Sequence, residues 1–230
     1  MKKTLSVYPS KKELFWGTFY MLLELFGLSY ILMYLGSLLP IPLSPEKLNV
    51  VFFIVNFGAT TLIFRKFIKR TLLDAKGRLA AISFAAIRGF LLYWAGNILV
   101  GMLILRLKPD FINVNDANIS AMTEANFIPM AICAIFFVPV AEELLFRGIL
   151  FAGLYKRSRI IAFLVSTAVF SAIHVMGYVG MYPWDTLLLC FIQYIPSSLA
   201  LGWAYAKSSS ILSPLLMHIA INAIGVYAMR

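Results

Sequence analysis

Long apolar runs are the feature that most restricts how this chain of 230 residues can fold. The hydrocarbon core of a bilayer is about 30 Å thick, and a helix of about 20 apolar residues crosses it with its backbone hydrogen bonds satisfied internally. Seven runs of about this length occur, at residues 14–39, 50–68, 79–105, 127–155, 160–180, 186–206 and 211–229. Only 13% of the residues are charged, against about 25% in soluble domains. We therefore predict an all-α, polytopic membrane helical bundle with about seven transmembrane helices, which forms a single membrane domain over residues 1–230.

Two of the runs have features that affect the span count. The third is unusually long and contains Arg88, so we expect its first turns to lie along the membrane interface and the span to begin near Gly89. The first run is longer than the roughly 7–15 apolar residues of a signal peptide and lacks an evident small-residue cleavage site. We therefore expect it to remain in the protein as a span.

The basic residues predict how the bundle is oriented in the membrane. The formal net charge is +10, and 14 of the 20 Lys and Arg residues flank the spans on the side of the N-terminus. These are Lys2, Lys3, Lys11, Lys12, Arg65, Lys66, Lys69, Arg70, Lys76, Arg78, Lys156, Arg157, Arg159 and Lys207. The positive-inside rule then predicts a cytoplasmic N-terminus and an external C-terminus in the plasma membrane, with the longest polar segment, 106–126, outside. Because the charge follows the span ends, we expect a lipid bilayer and no nucleic acid as a partner.

The fourth run contains a cluster of charged residues, although each charge at the bilayer centre costs about 2.5–3.5 kcal/mol on insertion scales. Glu143 and Arg147 are four residues apart and share a helix face, with the acid N-terminal to the base as pairing prefers. Glu142 points about 100° away from Glu143. We expect Glu143 to neutralise Arg147, which leaves Glu142 to face another group. Pro139, one turn earlier, is expected to widen the helix.

The two histidines of the chain lie in two further runs. Phe170 and His174 share one helix face, and His218 and Asn222 share another, because each pair is four residues apart. Counted at 1.5 Å per residue from the cytoplasmic ends of the spans, Glu142 and His174 lie about 21 and 22 Å deep, and His218 and Asn222 about 12 and 18 Å. A lone buried histidine is more often a satisfied core group than a catalyst. The shared layer nevertheless favours one polar site enclosed by the helices.

These residue types suit peptide hydrolysis by an activated water molecule. A carboxylate in an apolar site is a stronger base than one in water, and imidazole or carboxamide N–H groups can stabilise a developing oxyanion. Alternatively, Glu142, His174 and His218 match the ligand set of a catalytic metal such as zinc, with water in the fourth position. The residues themselves leave both mechanisms open.

The three motifs together resemble those of the CAAX prenyl endopeptidase and bacteriocin-processing (CPBP, or Abi) membrane proteases. In family order, and on separate late spans, they are Glu142-Glu143-x-x-x-Arg147, Phe170-x-x-x-His174 and His218-x-x-x-Asn222. The resemblance covers about residues 125–227, which it identifies as a CPBP/Abi-like catalytic core. The chain departs from the prenyl-protein branch in its span count, seven against eight, so a prenylated substrate is not implied.

The resemblance implies that the chain is a CPBP-type intramembrane protease. Glu142 would be the base that activates water, and Glu143 with Arg147 would support it. His174 would lie beside that water, while His218 and Asn222 would contact the oxyanion or the substrate carbonyl. Both metal-assisted and metal-free glutamate mechanisms are argued for the family, so the resemblance leaves the metal open. Substrates would be small peptides or membrane proteins, for example leader-bearing peptides such as bacteriocins in a bacterium.

Two other functions remain open from the sequence. A non-proteolytic immunity or scaffold protein could use the same cavity for binding. A proton-coupled carrier could use the same Glu and His residues as a relay, although the inverted repeats or broken helices typical of transporters are not evident. Glu24, in the first run, is expected to have a structural role, lining the cavity or pairing with Arg88. Asn56, Asn97 and Gln193 are expected to form hydrogen bonds between helices.

Overall fold

The computed structural model describes residues 4–41 and 43–228, and within these ranges the chain forms nine helices. They are α1 (Lys11–Ser37), α2 (Pro45–Ile63), α3 (Arg65–Ala75), α4 (Leu79–Leu107), α5 (Val114–Ala125), α6 (Phe127–Tyr155), α7 (Arg159–Met176), α8 (Trp184–Ser208) and α9 (Leu212–Ala228). Over the same ranges, the extended structure is limited to one isolated bridge between Val179 and Tyr182. The predicted all-α membrane helical bundle is confirmed.

Six of the described helices are long and apolar enough to cross a membrane, namely α1, α2, α4, α6, α7 and α8. The seventh predicted span corresponds to α9, which has 17 residues up to Ala228 and is therefore about 25 Å long. The predicted end of that span, Met229, lies outside the described residues, as do the charged residues Lys2, Lys3 and Arg230. Large apolar side chains cover the outer surface of the bundle, as lipid contact requires. The chain is an integral membrane protein.

The second predicted span continues too far at its C-terminal end. Helix α2 ends at Ile63, and the backbone turns at Phe64 before α3 begins. Phe67 belongs to α3, a mostly polar helix that buries this ring on its inner face. The apolar pattern up to residue 68 joined two helices into one predicted span. An inward-facing apolar residue of an amphipathic helix cannot be distinguished in sequence from a residue of a transmembrane helix.

The polar segment 106–126 contains a helix that its composition did not indicate. Asn113 caps α5, since its Oδ1 accepts hydrogen bonds from the backbone N–H groups of Asn115 and Asp116 at 3.0 and 3.2 Å. Such side-chain caps satisfy N–H groups that the first turn of a helix leaves free. This capped turn lies at the opposite end of α4 from α3.

Helix α4 is continuous through the position where the sequence suggested that the span begins. Arg88 is exposed on its surface, whereas Gly89 is buried against α8 and α9. A Cβ atom at position 89 would lie 2.9 Å from the sulfur of Met217 and 3.0 Å from the Cβ of Ala204. The missing side chain therefore lets α9 approach closely at the residue before His218. Interfacial placement of the first turns of α4 stays a prediction.

Three described segments have the wider π-helical backbone. They are Glu24–Leu28 in α1 and Cys133–Phe137 and Glu143–Phe151 in α6. The second ends two residues before Pro139, which lacks the N–H group for a regular helical hydrogen bond. The expected widening near Pro139 is therefore confirmed. Because π-helical turns are often found at functional sites, the third segment is notable for containing both Glu143 and Arg147.

Candidate active site

Glu143, Arg147 and His218 are buried together between α6 and α9. They are 1%, 0% and 6% exposed, respectively. Glu143 Oε2 lies 3.4 Å from Arg147 Nε, and Glu143 Oε1 lies 2.9 Å from His218 Nδ1. The predicted pairing of Glu143 with Arg147 is confirmed, and His218 is a third member. Because the carboxylate paired with Arg147 accepts hydrogen bonds, Nδ1 of His218 carries the hydrogen.

Arg147 is held by several elements of the bundle. Its Nη2 lies 3.4 Å from both the carbonyl and the hydroxyl oxygen of Ser198 in α8. Its Cζ lies 4.5 Å from the centre of the Phe170 ring, which provides a cation–π contact. A fully buried guanidinium depends on such partners, because a charge left unpaired in the interior is strongly destabilising. Arg147 therefore fixes the position of Glu143.

Glu142 approaches His218 from the other side of the imidazole ring. Its Oε2 lies 3.8 Å from His218 Nε2, too far for a direct hydrogen bond. The side chain is 18% exposed, and Oε2 is buried without a hydrogen-bond partner among the described residues. His218 thus lies between two glutamates, with Nδ1 bound to Glu143 and Nε2 facing Glu142. The expected division between the two adjacent acids is confirmed.

His174 lies two residues before the end of α7 and contacts the rest of the site through an aromatic ring. Its Nδ1 donates to the Phe170 carbonyl at 2.7 Å, so Nδ1 carries a hydrogen. The Phe170 ring centre lies 4.6 Å from the His174 ring and 6.4 Å from the His218 ring. A second ring, Tyr194 of α8, lies 4.2 Å from His174. No pattern in the sequence indicated Tyr194, because α7 and α8 meet only in the folded bundle.

Asn222 joins α9 to the π-helical part of α6. Its Nδ2 donates to the carbonyl of Ala134 at 2.7 Å, within the segment Cys133–Phe137. This bond satisfies a carbonyl in the distorted backbone and uses one of the two amide hydrogens. The second hydrogen and Oδ1 of Asn222 have no partner among residues 4–41 and 43–228, so they can bind another group.

Glu142, His174 and His218 do not converge as metal ligands. Within residues 4–41 and 43–228, no group of three His, Cys, Asp or Glu side chains has the arrangement to hold a metal ion. Both histidines use Nδ1 for other hydrogen bonds and keep Nε2 available, as metal-binding histidines do, but the His174 ring packs on Phe170 and Tyr194 rather than beside Glu142. The donor set allowed by the sequence does not fit a catalytic zinc in this arrangement.

The structure adds a third carboxylate, from α1, to this part of the bundle. Glu24 Oε1 accepts a hydrogen bond from Asn56 of α2 at 3.3 Å, and the Glu24 carboxylate interacts electrostatically with Glu142. Glu24 Oε2 is buried without a hydrogen-bond partner in the described part of the chain. Of the two arrangements expected for Glu24, lining the cavity or pairing with Arg88, the second is not found among the described residues, because Arg88 lies on the exposed surface of α4. The interhelical roles expected for Asn56 and Gln193 are confirmed, and Gln193 accepts from Asn113 at 2.9 Å. Asn97 is half-buried on α4, and its side chain forms no such bond within the described part of the chain.

Comparisons with known proteins agree with the motifs. Residues 124–224 match the family model described as Type II CAAX prenyl endopeptidase Rce1-like. Over 93 residues the chain is 30% identical to the UPF0177 protein YxdF of Lactococcus lactis subsp. lactis (strain IL1403). This segment is 40% of the present chain and 46% of that protein, so the chain spans less than half the length of this curated relative. No solved structure matches the chain. Over residues 124–224, which include all three motifs, the chain is therefore similar to the Type II CAAX prenyl endopeptidase Rce1-like family, and this confirms the resemblance.

Proposed function

We propose that the chain is an intramembrane endopeptidase in which Glu142 activates a water molecule to hydrolyse a peptide bond. One observation carries the proposal: His218 lies between two glutamates, 2.9 Å from Glu143 through Nδ1 and 3.8 Å from Glu142 through Nε2. The similarity to a CAAX-type protease family supports peptide hydrolysis at the family level.

The separation between Glu142 and His218 suits one bridging water molecule. Two atoms 3.8 Å apart can each lie about 2.8 Å from the same water oxygen. Glu142 would accept one hydrogen of this water and His218 Nε2 the other. Glu143 fixes the His218 tautomer by holding Nδ1–H, as a carboxylate orients the histidine in other hydrolytic sites. The water oxygen would then present a lone pair to the substrate carbonyl.

The subsequent proton movements involve the same residues. As the water oxygen bonds to the carbonyl carbon, its proton moves to Glu142, and Glu142 then donates it to the leaving nitrogen as the C–N bond breaks. The remaining N–H of Asn222 is our candidate donor to the oxyanion. His218 can donate to the oxyanion only when Nε2 is protonated, because Nδ1–H is already bound to Glu143. The resemblance implies that His174 lies beside the reacting water, and we keep this role as a proposal, although its ring packs on Phe170 and Tyr194 and does not converge with Glu142 and His218.

The substrate and the cellular setting also belong to this proposal. We propose a small peptide or a membrane protein as substrate, with leader-bearing peptides such as bacteriocins as the favoured class in bacteria. The similar Lactococcus lactis protein supports a bacterial plasma membrane, and the basic residues support a cytoplasmic N-terminus and an external C-terminus.

The deciding experiment compares peptide termini in membranes that contain the wild-type chain or Glu142→Gln at equal abundance. The substitution keeps the size of the side chain but removes the base, so new termini should disappear. Glu124→Gln, the same chemical change on the exposed surface of α5, is the matched control and should cleave as the wild type does. If Glu142→Gln leaves all termini unchanged and keeps any host phenotype, the protease proposal is wrong and the non-proteolytic immunity or scaffold function takes its place.

A further inference from the structure

The aromatic ring of Tyr194 packs directly on the ring of His174. The two ring centres are 4.2 Å apart and the planes are inclined by 30°. His174 also bonds through Nδ1 to the Phe170 carbonyl, at 2.7 Å. The Tyr194 contact and this hydrogen bond together restrict the rotation of the imidazole ring, which leaves Nε2 as its uncommitted nitrogen.

The hydroxyl group of Tyr194 is anchored by the first turn of α5. It donates to Oδ1 of Asp116 at 2.6 Å and accepts from Nδ2 of Asn115 at 2.9 Å. A phenol has one hydrogen to donate, so that hydrogen is committed to Asp116. Because both bonds end on the same turn of one helix, they fix the direction of the Tyr194 ring.

The turn that holds Tyr194 is itself well defined. Asn113 accepts from the backbone N–H groups of Asn115 and Asp116, and its Nδ2 donates to Gln193 at 2.9 Å. Two consecutive residues of α8, Gln193 and Tyr194, are therefore tied to the start of α5.

We propose that Tyr194 is a positioning residue for His174 and that Asn115 and Asp116 hold it in place. The importance of His174 in cleavage rests on the proposed function, whereas the position of its ring can be measured independently. Asn115 and Asp116 precede the segment 124–224 that matches the protease family. This anchor is thus a feature of the present chain beyond the matched core.

The chain has two histidines, which makes nuclear magnetic resonance of histidine-labelled protein a direct test. In full-length protein in lipid nanodiscs, Tyr194→Leu should shift the His174 ring signals, because the aromatic ring current is removed. Tyr194→Phe and Asp116→Ala keep the ring but remove the hydrogen bond that the Tyr194 hydroxyl donates to Asp116, so they should shift the His174 signals less and broaden them. The His218 signals should stay unchanged and report that the fold is intact.

The control is Glu124→Gln on the same helix, because Glu124 is exposed and lies eight residues, more than two turns, beyond Asp116. Its His174 signals should match those of the wild type. In the peptide-terminus assay, Tyr194→Phe should reduce cleavage by about tenfold or more at equal abundance, as expected when a reacting group is misplaced. Unchanged His174 signals in Tyr194→Leu, or full cleavage by Tyr194→Phe, would overturn the inference. Absence of cleavage by the wild type would instead reject the proposed function, and the resonance data alone would then decide the positioning of His174.

Discussion

His218 contacts both members of the Glu142–Glu143 pair, although it lies 75 residues further along the chain. The spacing of Glu143 and Arg147 made their pairing predictable, because residues four apart meet on one helix. No comparable local rule brings α9 to α6. The sequence therefore indicated the Glu143–Arg147 ion pair within one helix. Only the structure shows that the His218 imidazole lies between two carboxylates.

The buried ion pair makes a prediction about stability. Glu143→Gln would leave the guanidinium of Arg147, 0% exposed, without a carboxylate partner. We expect the free energy of unfolding to fall by about 3–5 kcal/mol, as when one member of a buried pair is removed. Thermal and chemical unfolding in a mild detergent would measure this loss.

A suitable comparison for Glu143→Gln is Asp185→Asn, which removes an ion pair near the end of the bundle. Lys108 Nζ lies 2.8 Å from Asp185 Oδ2, and this hydrogen bond raises the pKa of Lys108. Asp185 is largely exposed, so water replaces the lost contact and the effect on stability should be much smaller. Equal unfolding midpoints for the two variants would contradict the structural role of Glu143.

At the scale of elements, the irregular backbone of α6 determines where its acids point. A π-helical turn contains about one residue more than an α-helical turn. Rewinding Cys133–Phe137 into a regular helix would rotate the following residues by about 100° relative to those before it. Asn222 supports the irregular segment by bonding the Ala134 carbonyl. Apolar runs do not reveal such a shift, because the hydrophobic pattern of a span is nearly uniform around its axis.

This geometry predicts a loss of cleavage in Pro139→Ala. The substitution restores a backbone N–H group, which favours a regular α-helix over the π-helical turn before it. Glu142 would then rotate away from His218, and we expect cleavage to fall by about tenfold or more, with the protein still folded. Cleavage assays with unfolding curves would separate these effects. Pro45→Ala, at the exposed first turn of α2 where the N–H group is free in any case, should cleave normally; an equal loss in both variants would argue against this explanation.

At the scale of the whole molecule, the charge pattern predicts which end of the bundle faces the cytoplasm. Lys69 of α3 and Asp110 after α4 are both exposed and lie at opposite ends of α4. In a background in which Cys133 and Cys190, both buried, are replaced by serine, Asp110→Cys should react with a membrane-impermeant maleimide in intact cells. Lys69→Cys should react only after lysis. The reverse pattern would show that the positive-inside rule fails for this chain.

The overall bundle was predictable for a different reason than the site. A helix needs about 20 apolar residues in succession to cross the bilayer, so the fold class and the approximate spans can be predicted from local composition. The C-terminal end of α2 and the presence of α5 were not predicted, because the amphipathic α3 and the capped, mostly polar α5 lack the long apolar run that identifies a span. The contacts of Glu24 with Asn56 and of His174 with Tyr194 were also missed, since each joins separate helices whose relative rotation is not encoded in any one run.

Glu24 shows that the surroundings of the motifs include side chains from outside the matched segment. It comes from α1 and its hydrogen-bond partner Asn56 from α2, whereas Glu142, with which it interacts, lies in the family-matched segment. The matched segment therefore does not contain all the side chains that surround Glu142. A chimera that joins residues 124–224 to the first helices of a relative would keep the three motifs but replace the helices that carry Glu24 and Asn56. Similarity over the motifs therefore does not determine which side chains of the first two helices lie near Glu142.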